Sequence, residues 1–325
     1  MILAALPEPS RVGDVLMAFL SILFEGAPYI MVGTLLSGLI AAFLDSSLLD
    51  KVLPKSRVLA TIIAGFLGLV FPVCECAVVP VIRRLVQKGL PISCAVTYML
   101  SAPIMNPIVA VSTLTAFKEF QKVHGWGDLG NATMTISRLS LGYLVAVIVG
   151  LIVLRFRPAQ VLRTKIANSI NAPVADDAAP APVKSFNAKL VHAMRTAMSD
   201  FLDTAMYFTI GVIITSVFNT QVNQAILSTV AGNEWLALPS IMGLAMVLSL
   251  CSTSDAFIAA PMASFSMAAK LAFLVFGPMM DIKLLFMYSG VFKRRIVIAL
   301  LIGLFILIGC LSEPWMMMIQ KLATK

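Results

Sequence analysis

Charge is what this 325-residue chain has least of. Charged residues make up 12% of it and apolar residues 59%, against roughly 25% and 45–50% in soluble domains. Histidine is nearly absent: His124 and His192 stand far apart in connecting segments, which excludes a zinc spacing. The chain contains neither a GxxxxGK[ST] phosphate loop nor a GxGxxG fingerprint, so ATP-driven work and dinucleotide chemistry have no sequence support. The five cysteines (Cys74, Cys76, Cys94, Cys251 and Cys310) are an odd number set in or beside apolar segments, which argues against a disulfide framework. The net charge of +8 does not indicate a nucleic-acid partner, because the basic residues sit mainly at helix ends and in connections, as the positive-inside bias requires. The opening MILAALPEPSRVGD has no basic region ahead of a separate apolar core, so the first helix is expected to act as its own insertion signal.

What is there in abundance is apolar sequence in runs of about 20 residues, the length that crosses a bilayer. The chain reads as an all-α integral membrane protein of about eight transmembrane helices. They cover approximately 14–43, 57–88, 91–117, 132–155, 198–219, 234–266, 269–291 and 295–312. Between residues 157 and 196 the composition turns to Ala, Pro, Asp and Lys without apolar periodicity, the signature of a flexible linker. Its Arg and Lys content places it in the cytoplasm. An even number of spans on each side then puts both termini there too. Lys293-Arg294-Arg295, Lys51, Lys55 and Arg57 resist that arrangement, since it leaves them outside.

The linker separates 1–156 from 197–325, and these segments look like copies. EGAPYIMVG (Glu25 to Gly33) aligns with DTAMYFTIG (Asp203 to Gly211), and APIMNPIV (Ala102 to Val109) with GPMMDIKL (Gly277 to Leu284). The second offset carries Cys76 onto Cys251. Such internal repeats are common in transporters. With four spans per half the copies would be parallel, and a re-entrant hairpin would make them inverted.

Four segments contain a helix break, and the residues at the breaks carry the chemistry. Cys74, Glu75 and Cys76 lie between Pro72 and Pro80. On an unbroken helix the two thiols would point about 200° apart, but in a break they can converge as soft ligands. Arg83, Arg84 and Lys88 follow. They snorkel to the cytoplasmic surface or line a vestibule that attracts anions. Pro103, Asn106 and Pro107 break the third segment, and Asn106 is a candidate to meet freed backbone groups or substrate. In the second half, Cys251-Ser252-Thr253-Ser254-Asp255 opens a half-helix with Ser, Thr and Asp placed as N-caps. Asp281 and Lys283 follow a break at Gly277-Pro278. Intramembrane Asp and Lys commonly relay an ion or pair internally. The expected substrate site is therefore Cys74, Glu75, Cys76, Pro103, Asn106, Cys251, Ser252 and Ser254. Asp255, Asp281 and Lys283 would relay the coupling ion, with no catalytic residue, no metal site and no cofactor.

CECAVVPVIRRLVQKGLPISCAVTYMLSAPIMNP resembles the signature of the ArsP/YraQ-type predicted permeases, carried by Cys74, Cys76, Pro80, Arg83, Arg84, Lys88, Gly89, Pro91, Pro103, Asn106 and Pro107. CSTSDAFIAA and FGPMMDIKLL in the second half also look like that family. The resemblance implies an eight-span permease of the inner (cytoplasmic) membrane, and for some members export of trivalent organoarsenicals. The expected function is thus a secondary transporter exporting a small thiophilic solute, an organoarsenical or a soft metal or metalloid species, rather than an enzyme. Its partners are that solute and the lipid bilayer, with a homo-oligomer left open. The competing readings are a membrane thiol–disulfide oxidoreductase using Cys74 and Cys76, and a passive channel.

Overall fold

The computed structural model describes residues 9–44, 54, 56–70, 73–124, 129–163, 186–219, 234–262 and 264–323. The first half contributes α1 (Pro9–Phe43), α2 (Arg57–Ala64), α3 (Leu67–Val70), α4 (Glu75–Gln87), α5 (Ile92–Ser101), α6 (Pro107–His124) and α7 (Leu129–Val153). After the short α8 (Pro158–Val161), the second half contributes α9 (Phe186–Asn219), α10 (Glu234–Leu248), α11 (Asp255–Ala259), α12 (Met267–Met279), α13 (Ile282–Val291) and α14 (Arg294–Ala323). Both ends of the 157–196 stretch are therefore helical, and residues 164–185 lie outside the described residues. Among the described residues five helical stretches are long and apolar enough to cross a membrane: Val12–Phe43, Thr133–Val153, Phe186–Phe218, Met267–Val291 and Arg294–Ile319. Their outward faces are apolar, with Met17 and Phe24 on α1 and Val191 on α9 strongly exposed, as surfaces facing acyl chains must be. The chain is a multi-pass membrane protein.

Each of the four segments is interrupted, but two of the interruptions are displaced from where the sequence places them: α4 is helical from Glu75 through Pro80, and α12 runs through Gly277 and Pro278 to Met279. α2 and α3 run alongside α5: the Thr61 hydroxyl donates to Ser93 Oγ at 3.0 Å, and Gly68 sits against the backbone of Ala102. α4 runs back the other way, to the end from which α2 started. A Schellman turn closes α4. Leu90 N–H bonds to Leu85 O and Gly89 N–H to Val86 O, with Gly89 at φ +105°, the left-handed geometry glycine adopts without penalty. Pro91 then starts α5. The second apolar segment is thus a hairpin that enters and leaves by one face, not a span.

The sixth segment behaves the same way from the opposite face. Leu238 and Met242 of α10 contact Gly309, and Ala245 contacts Gly277. The chain turns at Ser249, which holds a left-handed φ of 47°. It returns through α11, and Ala260 O accepts a bond from Lys270 Nζ at 2.8 Å. The third and seventh segments continue through their breaks, α5 into α6 and α12 into α13.

α1 and α9 pack antiparallel along most of their length. Gly26 meets the Phe208 ring, Gly38 meets Ala193, and Phe43 lies 5.8 Å from Phe186. Small residues let the backbones approach, the usual solution when lipid removes the hydrophobic drive between helices. The α1–α9 pair lies against α4 and α13, Gly33 on Ala77 and Gly211 on Lys283. With the hairpins folded back, Arg57, Lys88, Arg163, Lys293 and Arg294 all come to the end of the molecule where the linker begins. Pro9 and Ala323 come to the other end.

Candidate substrate site

The two hairpin tips meet in the interior. Cys74 is the N-cap of α4, in extended conformation (φ −74°, ψ 169°), and makes no side-chain capping bond. The break lies entirely before Cys74. Pro80 is inside α4 and does not end it, but its missing N–H leaves the Cys76 carbonyl without its intrahelical donor. Pro72 is outside the described residues.

Cys74, Glu75 and Cys76 share one small cavity with Cys251, Lys283, Phe208 and, from α1, Ile22, Glu25, Gly26 and Tyr29. Its volume is about 10 Å³, room for a single water. Three cysteines from two distant segments therefore line one small space beside the α1–α9 pair.

Glu75 is buried to 1% and its two oxygens go separate ways. Oε2 accepts the Ser252 hydroxyl at 3.2 Å, and Oε1 lies 3.6 Å from Lys283 Nζ. Lys283 is also 3.5 Å from Asp281 Oδ2, while Asp281 Oδ1 accepts Leu284 N–H at 2.7 Å and caps α13. A buried charge is costly unless paired and hydrogen-bonded, and here one lysine serves two carboxylates brought by different halves of the chain.

Ser252 also leads the other way. Its carbonyl accepts Arg138 Nη2 at 3.0 Å. Arg138, only 1% exposed, pairs with Asp255 at 2.6 Å and bonds Thr113 Oγ1 at 2.7 Å. Asp255 Oδ1 is buried without a hydrogen-bond partner. Arg138 was not among the residues singled out above. Its signal was present, an arginine within an apolar span, but it stands near the start of α7, where an anchoring role is the first reading.

The expected site residues thus divide. Cys74, Glu75, Cys76 and Cys251 line the cavity, as does Lys283; Ser252 and Asp281 touch its charged groups, and Asp255 is one link further away. Asn106, Pro103 and Ser254 do not line it. Asn106 caps α6 instead, its Oδ1 accepting Ile108 N–H at 3.0 Å, as Asp281 caps α13. Ser254 does not cap α11 through its side chain, which donates to Cys251 O, and the Asp255 carboxylate is taken by Arg138.

A larger cavity of about 730 Å³ opens below, between α4, α9 and α13. Arg83 pairs there with Asp203 at 2.9 Å. Asp200 receives Arg84 through two bonds of 2.8 and 2.9 Å and the Ser37 hydroxyl at 2.7 Å. Arg83 and Arg84 are therefore paired as well as placed at the linker face.

No solved structure matches the chain. It is 37% identical over 286 residues to the UPF0718 protein YcgR of Bacillus subtilis, covering 87% of this chain and 90% of that one. It is 31% identical over 312 residues to a putative two-component membrane permease complex subunit of Streptococcus mutans, covering 93% and 96%. Residues 11–312 match the sequence model of the ArsP-type predicted permeases, and the chain belongs to that predicted permease family.

Proposed function

We propose that this chain is a secondary transporter whose solute site lies where the two hairpin tips meet, and that it exports a small thiophilic solute such as an organoarsenical or a soft metal or metalloid species. The observation that carries the reading is the convergence of Cys74, Cys76 and Cys251 on one small cavity beside Glu75 and Lys283. Thiols at a helix break, beside charges held at membrane depth, suit a soft ligand that must be bound and then released. At about 10 Å³ the space is too small for such a solute, so solute binds only when the α1–α9 pair shifts against the tips.

The two halves are read as inverted copies. In support, α1 and α9 run antiparallel, the hairpins return to opposite faces, and each half then crosses three times, the odd count that inversion needs. Asp255 with Arg138, and Asp281 with Lys283, are the charged groups that would couple the solute to an ion. The basic residues gathered at the linker end support a cytoplasmic orientation of that face, in the inner membrane. The streptococcal relative is named as one subunit of a complex, so a second membrane component or a second copy is the partner to seek by cross-linking.

The test is a resistance and uptake panel in cells lacking native exporters, covering organoarsenicals, arsenite, soft metal ions and small sulfur compounds. Cys74→Ser/Cys76→Ser should abolish export of the solute that wild type exports. Undiminished export by that variant would remove the thiol role. Accumulation against a gradient separates a transporter from a channel, and a trapped mixed disulfide would favour the oxidoreductase.

A further inference from the structure

Three of the four helices that line the small cavity, α4, α9 and α13, also line the 730 Å³ cavity below it. On α4 the lining passes from Cys76 to Val79 and Arg83, on α13 from Lys283 to Met287 and Gly290, and on α9 from Phe208 to Thr204 and Asp200. One helical turn of apolar contact separates the two spaces. The lower cavity is within the roughly 300–1,000 Å³ range of small-molecule sites and lies at the face where the linker begins.

Its charge is one-sided. The lining carries Arg83, Arg163, Lys293 and Arg294 against Asp200 and Asp203. The two acids are already matched, Asp203 by Arg83 and Asp200 by Arg84. Among the described residues no carboxylate lies within ion-pair distance of Arg163, Lys293 or Arg294. Two of these cations are held in place. Residues 161–163 clasp the α13–α14 corner through Arg163 N–H to Val291 O at 3.0 Å and Lys293 N–H to Val161 O at 2.9 Å. Arg163 Nη1 donates to the Tyr207 hydroxyl at 3.1 Å, and Lys293 Nζ to Ala159 O. The field at the mouth is built by fixed groups, and a partly desolvated cleft of one sign focuses its potential on incoming ions.

We infer that this vestibule is the linker-side mouth of the permeation path and that it selects a small solute bearing net negative charge, with Arg163, Lys293 and Arg294 as the selecting residues. The inference rests on the permease reading and narrows its solute to a thiophilic anion.

The probe is a pair of methanethiosulfonate reagents of similar size, the anionic ethylsulfonate and the cationic ethyltrimethylammonium, applied from the linker side to Thr204→Cys in vesicles of neutral phosphatidylcholine. The unsubstituted protein supplies the background. After correction for free-thiol rates, the anionic reagent should react about 10-fold faster or more, and added salt should shrink the preference. Arg163→Gln/Lys293→Gln/Arg294→Gln should bring the ratio near unity while an uncharged reagent reacts as before. Met287→Cys repeats the measurement should Thr204→Cys not fold. Equal or faster reaction of the cationic reagent, or a ratio unmoved by the triple variant, overturns the proposal. Adding phosphatidylglycerol separates a dissolved anion from a lipid headgroup: an unchanged ratio supports the solute mouth, and a lost preference means that the cations hold lipid. The reporter is independent of Cys74 and Cys76, so failure here leaves the sulfur site standing, and failure of the thiol variant leaves the vestibule charge standing.

Discussion

Ser252 donates its hydroxyl to Glu75 at 3.2 Å across 177 positions of chain, while its carbonyl accepts from Arg138. One small residue at the tip of the second hairpin therefore joins two buried ion-pair systems, Glu75–Lys283–Asp281 and Arg138–Asp255. Ser252→Ala should leave the protein folded, because the Arg138 bond uses the backbone, yet change how transport depends on the proton or sodium gradient. Uptake measured with each gradient imposed separately checks this, and an unaltered dependence would remove Ser252 from the coupling path.

Arg138→Gln strands Asp255 in the interior. Breaking a buried pair by removing one partner costs about 3–5 kcal/mol, so a marked fall in thermal stability in detergent is expected. Arg138→Gln/Asp255→Asn removes both charges and should recover most of the loss. Equal stability of the single and double variants would mean that the pair carries no net interaction.

The hairpin geometry makes a topological prediction. Cysteines placed singly at Arg57 and at Lys88 should both label with a membrane-impermeant maleimide from one and the same face, since α2 begins at the end of the molecule where α4 ends. Labelling from opposite faces would restore the second segment as a span and dismiss the inverted reading of the halves.

Gly33 has no room for a side chain. A Cβ there would come within 2.7 Å of Ala77 Cβ and 2.8 Å of its carbonyl oxygen, and backbone cannot step aside as a flexible side chain can. Gly33→Val should separate α1 from α4, lower the melting temperature and open the sulfur cavity, so that Cys74 alkylates faster with N-ethylmaleimide. At Gly13 an added Cβ would meet nothing within 4 Å, so Gly13→Ala serves as the control and should be tolerated.

Asp200 is 2% exposed and receives Arg84, Ser37 and, at 3.9 Å, Arg83, which ties α1, α4 and α9 together at the vestibule. Asp200→Asn should loosen that junction and raise the alkylation rate of Cys76 from the cytoplasmic face. An unchanged rate would show that these ion pairs do not hold the closed state.

Composition and run length determined by themselves that the chain lives in a bilayer, because no soluble core can use so much apolar surface. Local chemistry determined the breaks: Gly89 and Pro91 end α4, Asn106 and Asp281 cap the half-helices that follow their prolines, and each signal acts over a few residues. The sequence alone could not decide where a broken segment goes next. Apolar stretches of equal length either cross or fold back according to what they pack on, and Thr61 beside Ser93 is a tertiary fact. The eight-span count is not confirmed: among the described residues five stretches are long and apolar enough to cross, and the folding back of the second and sixth segments brings Arg57 and Lys293 to one face. The pairing of charges was likewise invisible. Glu75 needed Lys283, and Asp255 needed Arg138, and partners that far apart in chain are chosen only when folding makes burying one charge depend on burying the other.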